Sequence, residues 1–189
     1  MQTFEWKSVN NYCVATLRTT GFKKSDGIIK IALLKVKNGE IVDKYFSNVK
    51  PKLRFKKQKE EYKDFDIYRP FEEIIPEIVN FIGKDTIIGF YNNFDYEAIY
   101  NNSGTELENR FVDVFIPYKK SFKNFYGEYF DCTLENIYKT EYGNKSKPYD
   151  FTDPYDRCLA IQELYESRKK FNKYIADLRK NTHEMNKSL

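Results

Sequence analysis

The residues able to do chemistry fall into a few short stretches of this 189-residue chain. Asp95, in "NNFDYEAIYNN", and Asp156, in "FTDPYDRCLA", are carboxylates in the first turn of predicted helices. An acid there gains about 0.3–1 kcal/mol against the helix dipole, so each has a structural explanation beside any chemical one. Lys50, Lys52, Arg54, Lys56, Lys57 and Lys59 crowd one segment with Phe55 and Tyr62 among them, and Arg168, Lys169, Lys170 and Lys173 crowd another. Cations interleaved with aromatic rings suit phosphate contact and base stacking, and they equally suit a solvated lysine-rich loop. Arg54, Lys56, Lys57 and Lys59 are the candidates for nucleic-acid binding. Cys13, Cys132 and Cys158 are an odd number with no CxxC spacing, which indicates neither a disulfide framework nor a zinc site and fits a reduced, cytoplasmic setting. The one histidine, His183, has no motif around it and reads as a surface residue.

A hydrophobic fraction of 41% and an aromatic fraction of 17% are enough to build a single core around these groups. The net charge of +4 permits a nucleic-acid partner without requiring one. No run approaches the eighteen apolar residues of a membrane span, and no export signal is expected.

The elements that must position the reactive groups follow from periodicity. "NYCVATL", "GIIKIALLKV" and "EIVDKYFSNV" read as three strands, the last two joined by Asn38-Gly39, a strong hairpin signal. Residues 50–68 are charged and aperiodic and read as a long loop. Phe71, Ile74, Ile75, Ile78, Val79 and Ile82 keep helical spacing, with Pro76 setting the start of the regular helix and Gly83 its end. "TIIGF" and "RFVDVFI" read as strands, and "FDYEAIYNN", "TLENIYKTEYG" and "TDPYDRCLAIQELYESRKKF" as helices, the last with Pro154 in its first turn. The order βββ-α-β-α-β-α-α predicts an α/β fold with a mixed sheet and helices on its faces.

Three stretches resemble the DEDD, or DnaQ-like, 3′–5′ exonuclease superfamily, and in particular the proofreading subunit of bacterial DNA polymerase III. In that superfamily the first strand ends D-x-E-T-T-G, F-D opens a later helix, and H-x(4)-D introduces the last helix. Here "TLRTTG" (16–21), "NNFD" (92–95) and "FTDPYD" (151–156) stand in the same order. The likeness spans about residues 11–170. It implies a ribonuclease H-like fold over residues 1–175, with a mixed five-stranded sheet whose first three strands are antiparallel, and a polar tail at 176–189. It also implies a two-metal site made of carboxylates, with a histidine as general base.

Asp95 and Asp156 match the superfamily's acids, whereas Thr16, Arg18 and Phe151 replace the remaining groups, so no intact catalytic set and no metal or other cofactor are expected. The expected function is that of a pseudo-exonuclease that binds single-stranded nucleic acid or a partner protein, with no membrane association. One alternative is an active exonuclease using Mg2+ or Mn2+ through Asp95, Asp156 and a further acid such as Asp153 or Asp26. Another is a scaffold that binds protein alone. A minor register pairs Tyr149 with Asp153. Arg18 is expected to point into the pocket where Asp95 and Asp156 converge and to bridge the two carboxylates.

Overall fold

The computed structural model describes residues 6–23, 25–53, 56–126 and 131–187. Arg54 lies outside them, as do the side chains of Lys56 and His183. The three N-terminal apolar runs form β1 (Asn11–Thr19), β2 (Ile28–Lys37) and β3 (Glu40–Asn48), each antiparallel to the next. Asn38 and Gly39, with φ of 52° and 86°, make the turn between β2 and β3. β4 (Thr86–Gly89) runs parallel to β1, and β5 (Phe111–Asp113) runs parallel to β4. The sheet order β3-β2-β1-β4-β5 puts β1 at the centre of a mixed five-stranded sheet, as expected.

Alternation along β1 sends its side chains to opposite faces. Tyr12 and Val14 join Cys158, Ile161, Leu164 and Tyr165 of α6 (Pro154–Lys187) in one core cluster, which α4 (Phe115–Tyr126) and α5 (Leu134–Tyr142) complete. Cys13, Ala15 and Leu17 join α2 (Phe71–Ile82) and α3 (Asn92–Ser103) in the other. The ends of β1, α3 and α6 therefore meet at one edge of a three-layer α/β/α domain. No helix among the described residues is long and apolar enough to cross a membrane.

The structure departs from the sequence expectations in four places. Residues 50–68 are not a plain loop: α1 (Lys56–Glu61) and a 3-10 segment (Lys63–Ile67) occupy them. The residues of α1, "KKQKEE", favour helix but supply no apolar periodicity to reveal it. Second, α2 begins at Phe71 rather than near Pro76. An interior proline costs about 3 kcal/mol, but burial of Phe71, Ile74 and Ile75 stabilises the earlier start by roughly 1.5–3 kcal/mol for each side chain. Third, "RFVDVFI" is only half strand, because the Asp113 side chain accepts the Phe115 N–H at 2.9 Å and turns the chain into α4. Pro117 then falls in the first turn of α4, where no N–H is needed. Finally, α6 continues beyond Phe171, where the helix read from the sequence ends, as far as Lys187.

Candidate functional site

Thr16 lies on the face of β1 that α6 covers, and it is only 1% exposed. Its hydroxyl donates to the Pro154 carbonyl at 2.7 Å and lies 3.5 Å from Cys158 Sγ. This bond ties the central strand to the first turn of α6 at the position where the superfamily pattern has its first acid. Arg18, two residues on and on the same face, is exposed at the strand end. Its charge bears on the phenol of Tyr62 and the carboxylate of Asp150.

The start of α3 is held from β5. Tyr91 stands at φ 64°, ψ 42°, a left-handed conformation unusual for a non-glycine residue. Its N–H and that of Asn92 both donate to the Asp113 carboxylate at 3.1 Å, while Asn92 Nδ2 donates to the Val112 carbonyl at 2.7 Å. Gly89 is required here, since a Cβ at that position would overlap the Asn92 amide. Burial pushes the Asp113 carboxyl up, against the pull of the three backbone N–H groups. Replacing Asp113 by alanine leaves those buried donors without an acceptor. We expect a loss of about 3 kcal/mol of stability, read as a lower urea midpoint, whereas an unchanged midpoint would deny Asp113 this role.

This clamp sets Asp95, which is 8% exposed. Its Oδ2 is buried and has no hydrogen-bond partner among the described residues. Its pKa is pushed up to about 7, mainly by burial, with the Arg157 guanidinium opposing the rise and Asp113 adding to it. Asp95 lines a cavity of about 640 Å³ together with Arg18, Thr19, Thr20, Phe22, Tyr91, Phe94 and Arg157, among others.

Asp156 does not line this cavity. Its Oδ2 accepts the Asp150 N–H at 2.8 Å. The expected arginine bridge is absent: among the described residues Arg18 forms no ion pair with Asp95 or Asp156, and the cation that bears on Asp95 is Arg157. Phe151 packs against the rings of Tyr138 and Tyr149. Asp153 caps α6 by accepting the Tyr155 N–H at 2.9 Å and pairs with Lys30 at 3.6 Å. Tyr149 donates to Glu163 at 3.0 Å rather than approaching Asp153. Asp26 accepts the Lys23 N–H at 2.9 Å. Lys57 and Lys59 are exposed on α1, while Lys50 and Lys52 are paired with Asp66 and Glu72. In the second basic group, Arg168 stacks on the Tyr118 and Phe171 rings and Lys169 pairs with Glu166. Sequence reasoning missed Asp113 and Arg157. The first could have been noticed as an acid closing an apolar strand, the second only from its position on α6.

No protein-family profile matches the chain. A PolC-type DNA polymerase III of Clostridium perfringens is 23% identical over 185 residues, covering 89% of this chain and 13% of the polymerase. The chain thus spans only a small part of that relative. Among solved structures, an exonuclease X in complex with 5′-overhanging duplex DNA superposes with a TM-score of 0.55 at 17% identity, covering 81% of this chain and 89% of its own. A zinc-bound E. coli exonuclease I in complex with single-stranded DNA gives 0.67 at 12% identity, covering 90% and 43%. The fold is that of the DnaQ-like exonuclease superfamily.

The divalent metals implied by a DnaQ-like exonuclease do not fit the residues present. Hard cations need several oxygen ligands with compensating negative charge. Of the two positions that the sequence resemblance matches to the first acids, one is Thr16, whose hydroxyl is already committed to Pro154, and the other is a permanent cation, Arg18. Asp113 is occupied by three backbone N–H groups. Among the described residues, no three of His, Cys, Asp and Glu cluster where they could hold a metal ion. Phe151, which the sequence resemblance matches to the general base, has no group that takes a proton.

Proposed function

We propose that this exonuclease-fold domain is a pseudo-exonuclease, one that binds single-stranded nucleic acid without hydrolysing it, with Asp95 and Asp156 as remnants of the catalytic set. The observation that carries the reading is Thr16. Its buried hydroxyl replaces an acid with a neutral donor and uses that donor to fasten α6 to β1. Nucleic-acid binding is supported by the exposed Lys57 and Lys59 on α1, next to a 3-10 segment whose neighbour Tyr62 feels the charge of Arg18. It is supported further by the structural neighbours, which were solved with DNA.

The test is a gel shift with an end-labelled oligonucleotide at low and moderate salt in the presence of magnesium. The expected result is a shifted, full-length strand, with affinity falling as salt rises because lysine and arginine release counterions from the phosphates. A strand left unshifted at low salt would reject nucleic-acid binding and leave protein binding as the use of the fold.

A further inference from the structure

The core-facing stripes of two neighbouring helices run on past the core. On α4, Tyr118, Phe122 and Phe125 stand at i, i+4 and i+7, on one helical face. Tyr118 is buried and Phe122 partly so, whereas Phe125 is 81% exposed. On α6, Ile161, Leu164, Arg168, Phe171 and Ile175 share a face in the same way. Ile161 and Leu164 are buried, but Phe171 and the nearby Tyr174 are 50% and 60% exposed. The helices touch where this cover ends: the Tyr118 hydroxyl donates to the Leu164 carbonyl at 3.0 Å, and the Arg168 guanidinium donates to Ser121 Oγ at 3.2 Å. Phe171 stands about 25 Å along α6 from the first turn, and none of these residues lines the Asp95 cavity. Rings left in water across two adjacent helices mark an interaction surface.

The surroundings of these rings are cationic. α4 carries Lys119, Lys120 and Lys123 and no acid, and on α6 the run from Arg168 to Ala176 holds four cations and no acid. Lys169 pairs with Glu166, but Arg168 forms no ion pair among the described residues. Its guanidinium lies 5.6 Å from the Tyr118 ring and 5.2 Å from the Phe171 ring, and its Nε is buried without a hydrogen-bond partner. Ring faces attract a cation but leave its N–H groups short of an acceptor, which a carboxylate would supply. Glu141 of α5 does not supply it, accepting instead from the Tyr118 and Ser167 hydroxyls. The ring faces are also partly taken, since Arg168 lies against Phe171, and Phe125 meets Tyr126 edge to face at 4.9 Å. That arrangement favours aliphatic side chains fitted between the rings over a stacked nucleobase. A second copy of the chain would bring the same cations against these.

We propose that the ends of α4 and α6 dock an acidic amphipathic helix of a partner protein, its apolar side chains covering Phe125, Phe171 and Tyr174 and its carboxylates meeting Arg168 and the surrounding lysines. A third helix laid along two others completes a packing of ridges into grooves. This surface is distinct from the cleft and does not depend on strand binding there.

The test is fluorescence anisotropy of a labelled synthetic helix of about twenty residues, long enough to hold its shape, with leucine along one face and glutamate on the other. The control peptide has lysine in place of every glutamate. The full chain is expected to bind the acidic peptide, less tightly as salt rises, and to ignore the basic one. Phe125→Ser and Tyr174→Ser, both at exposed positions, should each weaken binding by about tenfold. Arg168→Gln, with its fold checked by circular dichroism, should do the same and flatten the salt dependence. Failure of the acidic peptide to bind at low salt overturns the proposal, as does equal binding of the two peptides. Binding that neither Phe125→Ser nor Tyr174→Ser alters places the peptide elsewhere and also overturns it. Displacement of the peptide by an oligothymidylate, lost together with strand binding in Phe125→Ser, overturns it in favour of a nucleic-acid surface. A concentration-dependent dimer that Phe125→Ser abolishes overturns it in favour of a second copy.

Discussion

Replacing Asp95 by asparagine is expected to stabilise the domain by about 4 kcal/mol at pH 8 and by little at pH 4. The carboxyl is pushed up to about 7 in the folded protein, against an ordinary value of 3.8. Between those values the folded state holds a proton that the unfolded state has released, so stability falls as pH rises through the window and stays low above it. The cause is the cost of charging a buried group whose Oδ2 has no hydrogen-bond partner among the described residues, which Arg157 offsets only in part. Asparagine keeps the shape and cannot ionise, so its stability should be nearly flat where the parent's declines. Urea unfolding of both proteins from pH 4 to 8 checks this. Parallel curves would mean that Asp95 is not held in a dry site.

Restoring the missing acid at Thr16 is expected to do harm rather than repair. In Thr16→Asp an ionised carboxylate replaces a hydroxyl that donates to the Pro154 carbonyl at 2.7 Å, in a site 1% exposed. The acid has no proton to donate, faces a carbonyl oxygen, and is buried without a cation of its own. A loss of roughly 3–5 kcal/mol follows. Thr16→Val separates the two contributions, since it removes only the hydrogen bond, leaves the Pro154 carbonyl unpaired, and should cost about 1–2 kcal/mol. The measurement is again the urea midpoint. An aspartate variant as stable as the parent and further stabilised by magnesium would show that the metal-binding architecture survives intact.

The sheet was legible in the sequence because β1 and β2 are continuous apolar runs and Asn38-Gly39 marks the hairpin. α1 was not legible, since its residues, "KKQKEE", carry no apolar period. The start of α2 was misplaced because the cost of Pro76 is a local quantity, whereas the burial of Phe71 and Ile74 is a property of the assembled core. The site shows the same division. Thr16 falls inside the apolar run read as the first strand, but its bond to Pro154 joins residues 138 positions apart and leaves no local trace. The expected bridge failed on helix geometry. Successive residues on α6 are turned by about 100° from one another, so Asp156 stays outside the cavity while the adjacent Arg157 lines it. Arg18, at the end of its strand, remains at the rim and exposed.

The central claim is that the cleft of an exonuclease fold has lost its chemistry and kept its ligand. The most direct measurement is incubation of a 5′-labelled single strand with the purified chain in magnesium and in manganese, resolved at single-nucleotide length, with Asp95→Ala as the control. The account predicts a full-length strand in every lane. A ladder of shortened products that appears with the parent and disappears in Asp95→Ala would contradict it.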